Sequence, residues 1–129
     1  MPQEVTKPEY NTSYVQATTS NTAVKGRVVT DKATRPFVIC FHHKLDSKFT
    51  FKTLQQDKLK KFQKFLDTVA DRTFLDVDSQ YLRPNDKRDK YDGEQMIHYE
   101  VNDGFRIHGI IENGEFCVIR IDPNHKFHK

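Results

Sequence analysis

Two arginines and three histidines near the end of the sequence have the residue types and spacing to do chemistry. Arg106 and His108 stand two apart, Arg120 and Asp122 stand two apart, and His125 and His128 follow directly. In an extended strand, residues two apart project from the same face. Arginine presents planar paired donors that match a phosphate, and histidine titrates near neutral pH, so it serves as acid or base. Cleavage of RNA by its own 2′-hydroxyl needs three things: a base for the 2′-OH proton, an acid for the leaving 5′-oxygen, and cations for the dianionic transition state. Arg106, Arg120, His125 and His128 could supply all three without a metal or other cofactor, with His108 as a further contact. A metal is the alternative for the tail. His125 and His128 have H-x-x-H spacing and Asp122 stands three residues before, but that spacing suits a ligand pair mainly on a helix, and Pro123-Asn124 reads as a turn.

These residues sit on three apolar-rich runs, roughly Gln95–Val101, Phe105–Ile111 and Glu115–Asp122, separated by Asn-Asp-Gly and Glu-Asn-Gly. Asp-Gly and Asn-Gly between β-branched and aromatic residues signal hairpins, so the end of the chain reads as an antiparallel three-strand meander. Three-residue loops, Asn102-Asp103-Gly104 and Glu112-Asn113-Gly114, give the cleaner separation of side chains. One face then collects Ile97, Tyr99, Val101, Phe105, Ile107, Ile111, Cys117, Ile119 and Ile121. The other collects His98, Glu100, Arg106, His108, Ile110, Phe116, Val118, Arg120 and Asp122. The first is a core face. The second is expected to stay open, as a phosphate site or as an ordinary half-solvated sheet surface.

Upstream, Phe37–His43 (FVICFHH) reads as a nearly continuous buried strand. His42 and His43 point to opposite faces there and cannot share one metal. Thr53 with Gln56 makes a capping box, and Leu59, Phe62, Phe65, Leu66 and Val69 form a helical stripe ending near Asp71. Lys58, Lys60, Lys61 and Lys64 occupy the other faces, as solvated charge or as contacts to a phosphate backbone. A second helix is expected within Arg72–Leu82, with Phe74, Leu75 and Val77 inward. Arg83–Asp92 reads as a charged loop. Lys25–Thr30 could add a short edge strand. The expected architecture is α+β: a helix or helical hairpin on one face of a mostly antiparallel four-stranded sheet, in the order strand, helix or two, three-strand meander.

Composition bounds the possibilities. Residues 35–129 are long enough for one α+β domain with a real core, and residues 1–34, polar and poor in large aliphatics, read as a flexible or loosely docked extension. Net charge is +3, which permits a nucleic-acid partner without requiring one. No run is long enough to span a membrane, and the first residues have no apolar signal-peptide region. Cys40 and Cys117 fall in apolar strand patterns, so two reduced buried thiols and a cytoplasmic location are expected.

The order of strand, helical hairpin and meander, with the run FRIHGIIENGEFCVIRIDPNHKFH, resembles the RelE/ParE toxin superfamily over roughly Arg35 to Lys129. The specific part is Phe105–His128, where an aromatic–Arg–Ile strand leads through a hairpin to a tail with a histidine. In ribosome-dependent mRNA interferases of this group a strand arginine contacts phosphate and a C-terminal His or Tyr takes part in cleavage. The resemblance therefore implies that Arg106 is the strand arginine, Arg120 the second cation, and His125 or His128 the tail residue. Arg83, Lys87 and Arg88 lie where loop basics stand in the family, and Lys58, Lys61, His108 and Lys126 complete the expected RNA contacts. It also implies the toxin of a toxin–antitoxin pair, with mRNA on the ribosome and a cognate antitoxin protein as partners. ParE-like members use the same fold against gyrase without these groups, so fold alone does not fix function. The competing reading is a non-catalytic RNA-binding or protein-interaction module of a mobile genetic element.

Overall fold

The computed structural model describes residues 29–84 and 86–126. Of the expected edge strand at Lys25–Thr30 only Val29 and Thr30 are described. Neither lies in a strand, and Val29 is buried in the core.

Two helices form one layer. α1 spans Gln56–Val69. Thr53 does not cap it, because Thr50 captures the Lys52 amide first and starts a 3-10 turn over Phe51–Thr53. Gln55 is left at the N-cap without a side-chain bond. Beyond Ala70, Asp71 adopts a left-handed conformation (φ 62°) that turns the chain. α2 spans Phe74–Tyr81 and is capped by the Thr73 side chain, which accepts from the Asp76 amide. Phe62, Phe65 and Val69 of α1 and Phe74 and Val77 of α2 are buried against the sheet. Leu59 and Leu75, expected inward, are 45% and 50% exposed. At 100° per residue Leu59 falls roughly 80° from the centre of the buried α1 stripe, and Leu75 roughly 100° or more from Phe74 and Val77.

The sheet has five strands, not four, in the order β1-β7-β6-β5-β2. They are β1 (Ile39–Cys40), β2 (Leu82–Arg83), β5 (Ile97–Asn102), β6 (Phe105–Glu112) and β7 (Glu115–Asp122). A separate hairpin pairs β3 (Lys90–Tyr91) with β4 (Glu94–Gln95). The protein is thus α+β, with a mostly antiparallel sheet and two helices on one face. β1 runs parallel to β7, with Ile39 opposite Phe116 and Cys40 opposite Cys117. It is far shorter than the expected Phe37–His43. The edge of β7 beyond it is taken by the following loop, where the Asp46 amide donates to the Ile119 carbonyl and the Ile121 amide to the Phe49 carbonyl.

The meander is present, with a different second turn. Asn113 (φ 55°) and Gly114 (φ 78°) are both left-handed and form a two-residue connection between Glu112 and Glu115, instead of three residues. The register then shifts by one across β7, between the pairs Gly109–Val118 and His108–Arg120. The two-residue turn swaps the faces of Phe116, Cys117, Val118 and Ile119, and the bulge at Ile119 returns Arg120 and Ile121 to their expected faces. Phe116 and Val118 join the helix-side core, while Cys117 and Ile119 pack with Met96 and Ile110 on the opposite side. Ile107 is buried beneath the helices as expected; Ile119 is buried away from them. The bulge leaves little room on β6: a Cβ on Gly109 would stand 2.1 Å from the Cys117 carbonyl oxygen. At the first turn Gly104 is left-handed, and an irregularity between Glu100 and Asn102 restores the expected alignment of Tyr99 with Ile107 and Glu100 with Arg106.

The second face of the sheet is not open. Tyr91 and Met96, in and beside the β3–β4 hairpin, pack over it and form a second, smaller core with Ile110, Cys117 and Ile119. The stretch expected as a charged loop therefore contributes β3, part of β2 and one buried carboxylate, Asp89. Cys40 and Cys117 are not free thiols. Parallel pairing brings their Cα atoms to 4.6 Å and they form a disulfide.

Candidate functional site

β2, β5, β6 and β7 place a row of polar side chains on the face away from the helices. His98, His108 and Arg120 come into line through the pairs His98–His108 and His108–Arg120, and Glu100, Arg106 and Asp122 form the next row. Arg83 enters from β2, opposite His98. These rows behave differently.

The inner row is sealed. His98 and His108 are fully buried, Arg120 and Asp89 nearly so. Asp89 Oδ2 accepts from His98 Nε2 at 2.7 Å and from Arg120 Nη2, and Arg120 Nε donates to His108 Nδ1 at 2.9 Å. The last bond fixes the His108 tautomer, since Nδ1 must carry a lone pair. Burial alone would push the Asp89 carboxyl up; the bonds and charges of Arg120 and His98 outweigh that and hold it below its ordinary value. Asp89, His98 and His108 each offer a ligand atom, all within 4.8 Å of one another. The Arg120 guanidinium already bonds two of the three. It supplies the positive charge that a metal ion would bring, and the donor set fits a guanidinium better than a metal.

The outer row is partly open: Arg83, Glu100 and Arg106 are half-buried, and Asp122 is buried at its end. Arg83 Nε donates to Glu100 Oε1 at 2.8 Å, and the Gly104 amide donates to Glu100 Oε2 at 3.1 Å. Arg106 Nη2 stands 3.9 Å from Glu100, beyond hydrogen-bond reach, and the Arg106 Nε is buried without a hydrogen-bond partner. Burial would raise the Glu100 carboxyl, but the Gly104 amide, Arg83 and Arg106 hold it below the usual carboxylate range. Opposite Arg106 across the ladder is Asp122, whose Oδ1 accepts from the Lys126 amide at 2.8 Å. That bond, with His125 in the left-handed region (φ 52°), folds Pro123–Lys126 back beside the strand end. His125 therefore belongs to the same end of the face as Arg106.

The structure thus divides the expected residues. Arg106, Arg83, His125 and Lys126 gather at one end of the face, Arg120 and His108 are enclosed, and His128 lies outside the described residues. Lys87 and Arg88 are exposed on the covering segment, with Arg88 paired to Asp86. Lys58 and Lys61 are on α1, in the other layer. Sequence reasoning missed Asp89 and Glu100. Glu100 was legible as a member of the polar face; Asp89 carried no signal, standing in an acidic and basic run like its neighbours.

Elsewhere, a cavity of about 430 Å³ opens beside β2, lined by apolar residues including Phe74, Met96 and Ile111. At its wall Asp78 accepts from the Tyr99 hydroxyl and from Lys32 Nζ at 2.6 Å. Among the described residues no helix is long and apolar enough to cross a membrane. Comparison of the chain with protein-family models, with curated proteins and with solved structures finds no match.

Proposed function

We propose that this chain is a metal-independent endoribonuclease that cleaves mRNA on the ribosome, as the toxin of a toxin–antitoxin pair in the cytoplasm. The observation that carries this reading is Arg106: a largely enclosed guanidinium, 15% exposed, with donors left over beside a histidine-bearing turn. A phosphate is the ligand whose geometry and charge suit those donors. In this reading Arg106 grips the scissile phosphate, and Glu100 holds Arg106 and Arg83 in place. The tail histidines, His125 and His128, take the 2′-OH proton and deliver a proton to the departing 5′-oxygen. The 2′-oxygen bonds to phosphorus, the phosphorus–5′-oxygen bond breaks, and a 2′,3′-cyclic phosphate remains. Arg120 becomes a positioning residue, acting through Asp89 and His108 on the strands that carry Arg106.

The second reading, a non-catalytic RNA-binding or protein-interaction module of a mobile genetic element, draws on the enclosure of Arg120 and His108, which leaves fewer groups for chemistry. Induced expression of the wild type and Arg106→Ala, with the 3′ ends of cellular RNA mapped, separates the two. Growth arrest with cyclic or 3′-phosphate ends, lost in Arg106→Ala and insensitive to EDTA, supports cleavage. Intact RNA with RNA binding retained supports the module.

A further inference from the structure

A second feature lies on the loop between β1 and α1. Phe41 and Phe51 are 48% and 41% exposed, and their rings touch at 5.9 Å between centroids. Phe51 in turn rests on Phe62 at 5.9 Å, so the exposed rings are seated on the core instead of swinging free. Residues 41–64 hold seven lysines against two aspartates, a local excess of five positive charges in a chain whose net charge is +3. Lys44, Lys48, Lys52 and Lys58 enter no ion pair with a described residue. Lys58 reaches over Phe105, which itself packs on Phe62, so its charge belongs to the same surface. The loop is also fastened to β7 at Ile119 and Ile121, the strand that leads into the His125 turn.

We infer that Phe41 and Phe51, flanked by Lys44, Lys48 and Lys52, form a stacking platform for single-stranded RNA, along which the substrate strand extends from the Arg106 end of the protein. Exposed ring faces beside unpaired lysines match unstacked bases on a charged backbone. A duplex hides its base faces and offers only the phosphates. A second copy of this chain would bring the same positive excess against itself. The inference rests on RNA as substrate but not on cleavage, and the test keeps these apart.

The probe is a fluorescently labelled oligouridylate of about a dozen nucleotides, 2′-O-methylated so that it has no nucleophile, and its binding to the full chain is read by anisotropy. Phe41→Ala/Phe51→Ala, assayed below its thermal midpoint with the fold checked by circular dichroism, should weaken binding by about a hundredfold, near tenfold per lost ring, with an unchanged salt slope. Lys48→Gln/Lys52→Gln should lower the salt slope by about one and a half. Wild-type affinity in the phenylalanine variant, or equal affinity of the wild type for a duplex of the same length, overturns the platform. So does a wild type that ignores the oligonucleotide but sediments with anionic vesicles. Binding through the platform without cleavage of 2′-hydroxyl RNA would uphold the platform and overturn the ribonuclease reading. Cleavage lost in Arg106→Ala, with the phenylalanine pair neutral for binding, would do the reverse.

Discussion

The imidazoles of His98 and His108 lie ring on ring, with centroids 3.6 Å apart and planes 8° from parallel. One is tied to Asp89 and the other to Arg120, which are themselves joined. The stack is thus the floor of a network that joins these four residues and, with the histidines neutral, sets one carboxylate against one guanidinium. Asp89→Asn should cost about 3–5 kcal/mol, because it leaves Arg120 buried without its counter-charge. Urea unfolding of both proteins at neutral pH measures this.

The same carboxylate sets an acid limit. Its folded pKa is depressed, so the unfolded chain binds the proton more readily than the native one. The stability it contributes is complete above the unfolded value, about 3.9, and is lost as pH falls through the lower folded value. Thermal midpoints of the wild type should therefore fall more steeply below about pH 4 than those of Asp89→Asn. Parallel acid limbs would remove Asp89 as the cause.

The disulfide joins residues 77 apart in sequence. By the loop-entropy relation a closure of that length contributes about 4.5 kcal/mol. Dithiothreitol should lower the unfolding midpoint of the wild type and leave Cys40→Ser/Cys117→Ser unchanged. In a reducing compartment the two thiols would face each other across β1 and β7, held there by the strands alone.

Four substitutions test the bulge in β7. Phe62 packs on Phe105, so Phe62→Leu and Phe105→Leu should couple by about 0.5 kcal/mol or more. Phe62→Leu and Ile119→Val lie on opposite faces of the sheet and should add within about 0.5 kcal/mol. Gly109→Ala, which drives a methyl into the Cys117 carbonyl, should cost about 3 kcal/mol, at the upper end of overpacking. A stable Gly109→Ala protein would mean that the two strands are further apart than described.

What the sequence revealed and concealed follows from how local each determinant is. Asp103-Gly104 and Asn113-Gly114 mark turns by the left-handed backbone they permit, and both turns are where they were expected. The helix stripe through Phe62, Phe65 and Val69 was legible from spacing alone. The bulge at Ile119 was not, because pattern matching assumes strict alternation, and Val118-Ile119-Arg120 breaks it with residues that suit either face. The disulfide was hidden for a related reason: nothing near Cys40 says that its neighbour will be the last strand. Asp89 is one of several charged residues between Arg83 and Asp92. Only the fold of the covering segment shows that it points inward, toward Arg120.

The parallel pairing of β1 with β7 also orders events during synthesis. Residues 39 and 40 have no strand partner until residues 116 and 117 exist. The two helices and the β5–β6 hairpin are built from near neighbours and can form as the chain emerges, whereas the edge at β1 must wait. Closing so long a loop is slow compared with local steps. Until β7 arrives, Ile39 and Cys40 have no strand beside them, although Phe37 can already pack on Phe74 and Tyr99. The refolding of this protein should therefore end, not begin, with its first described strand.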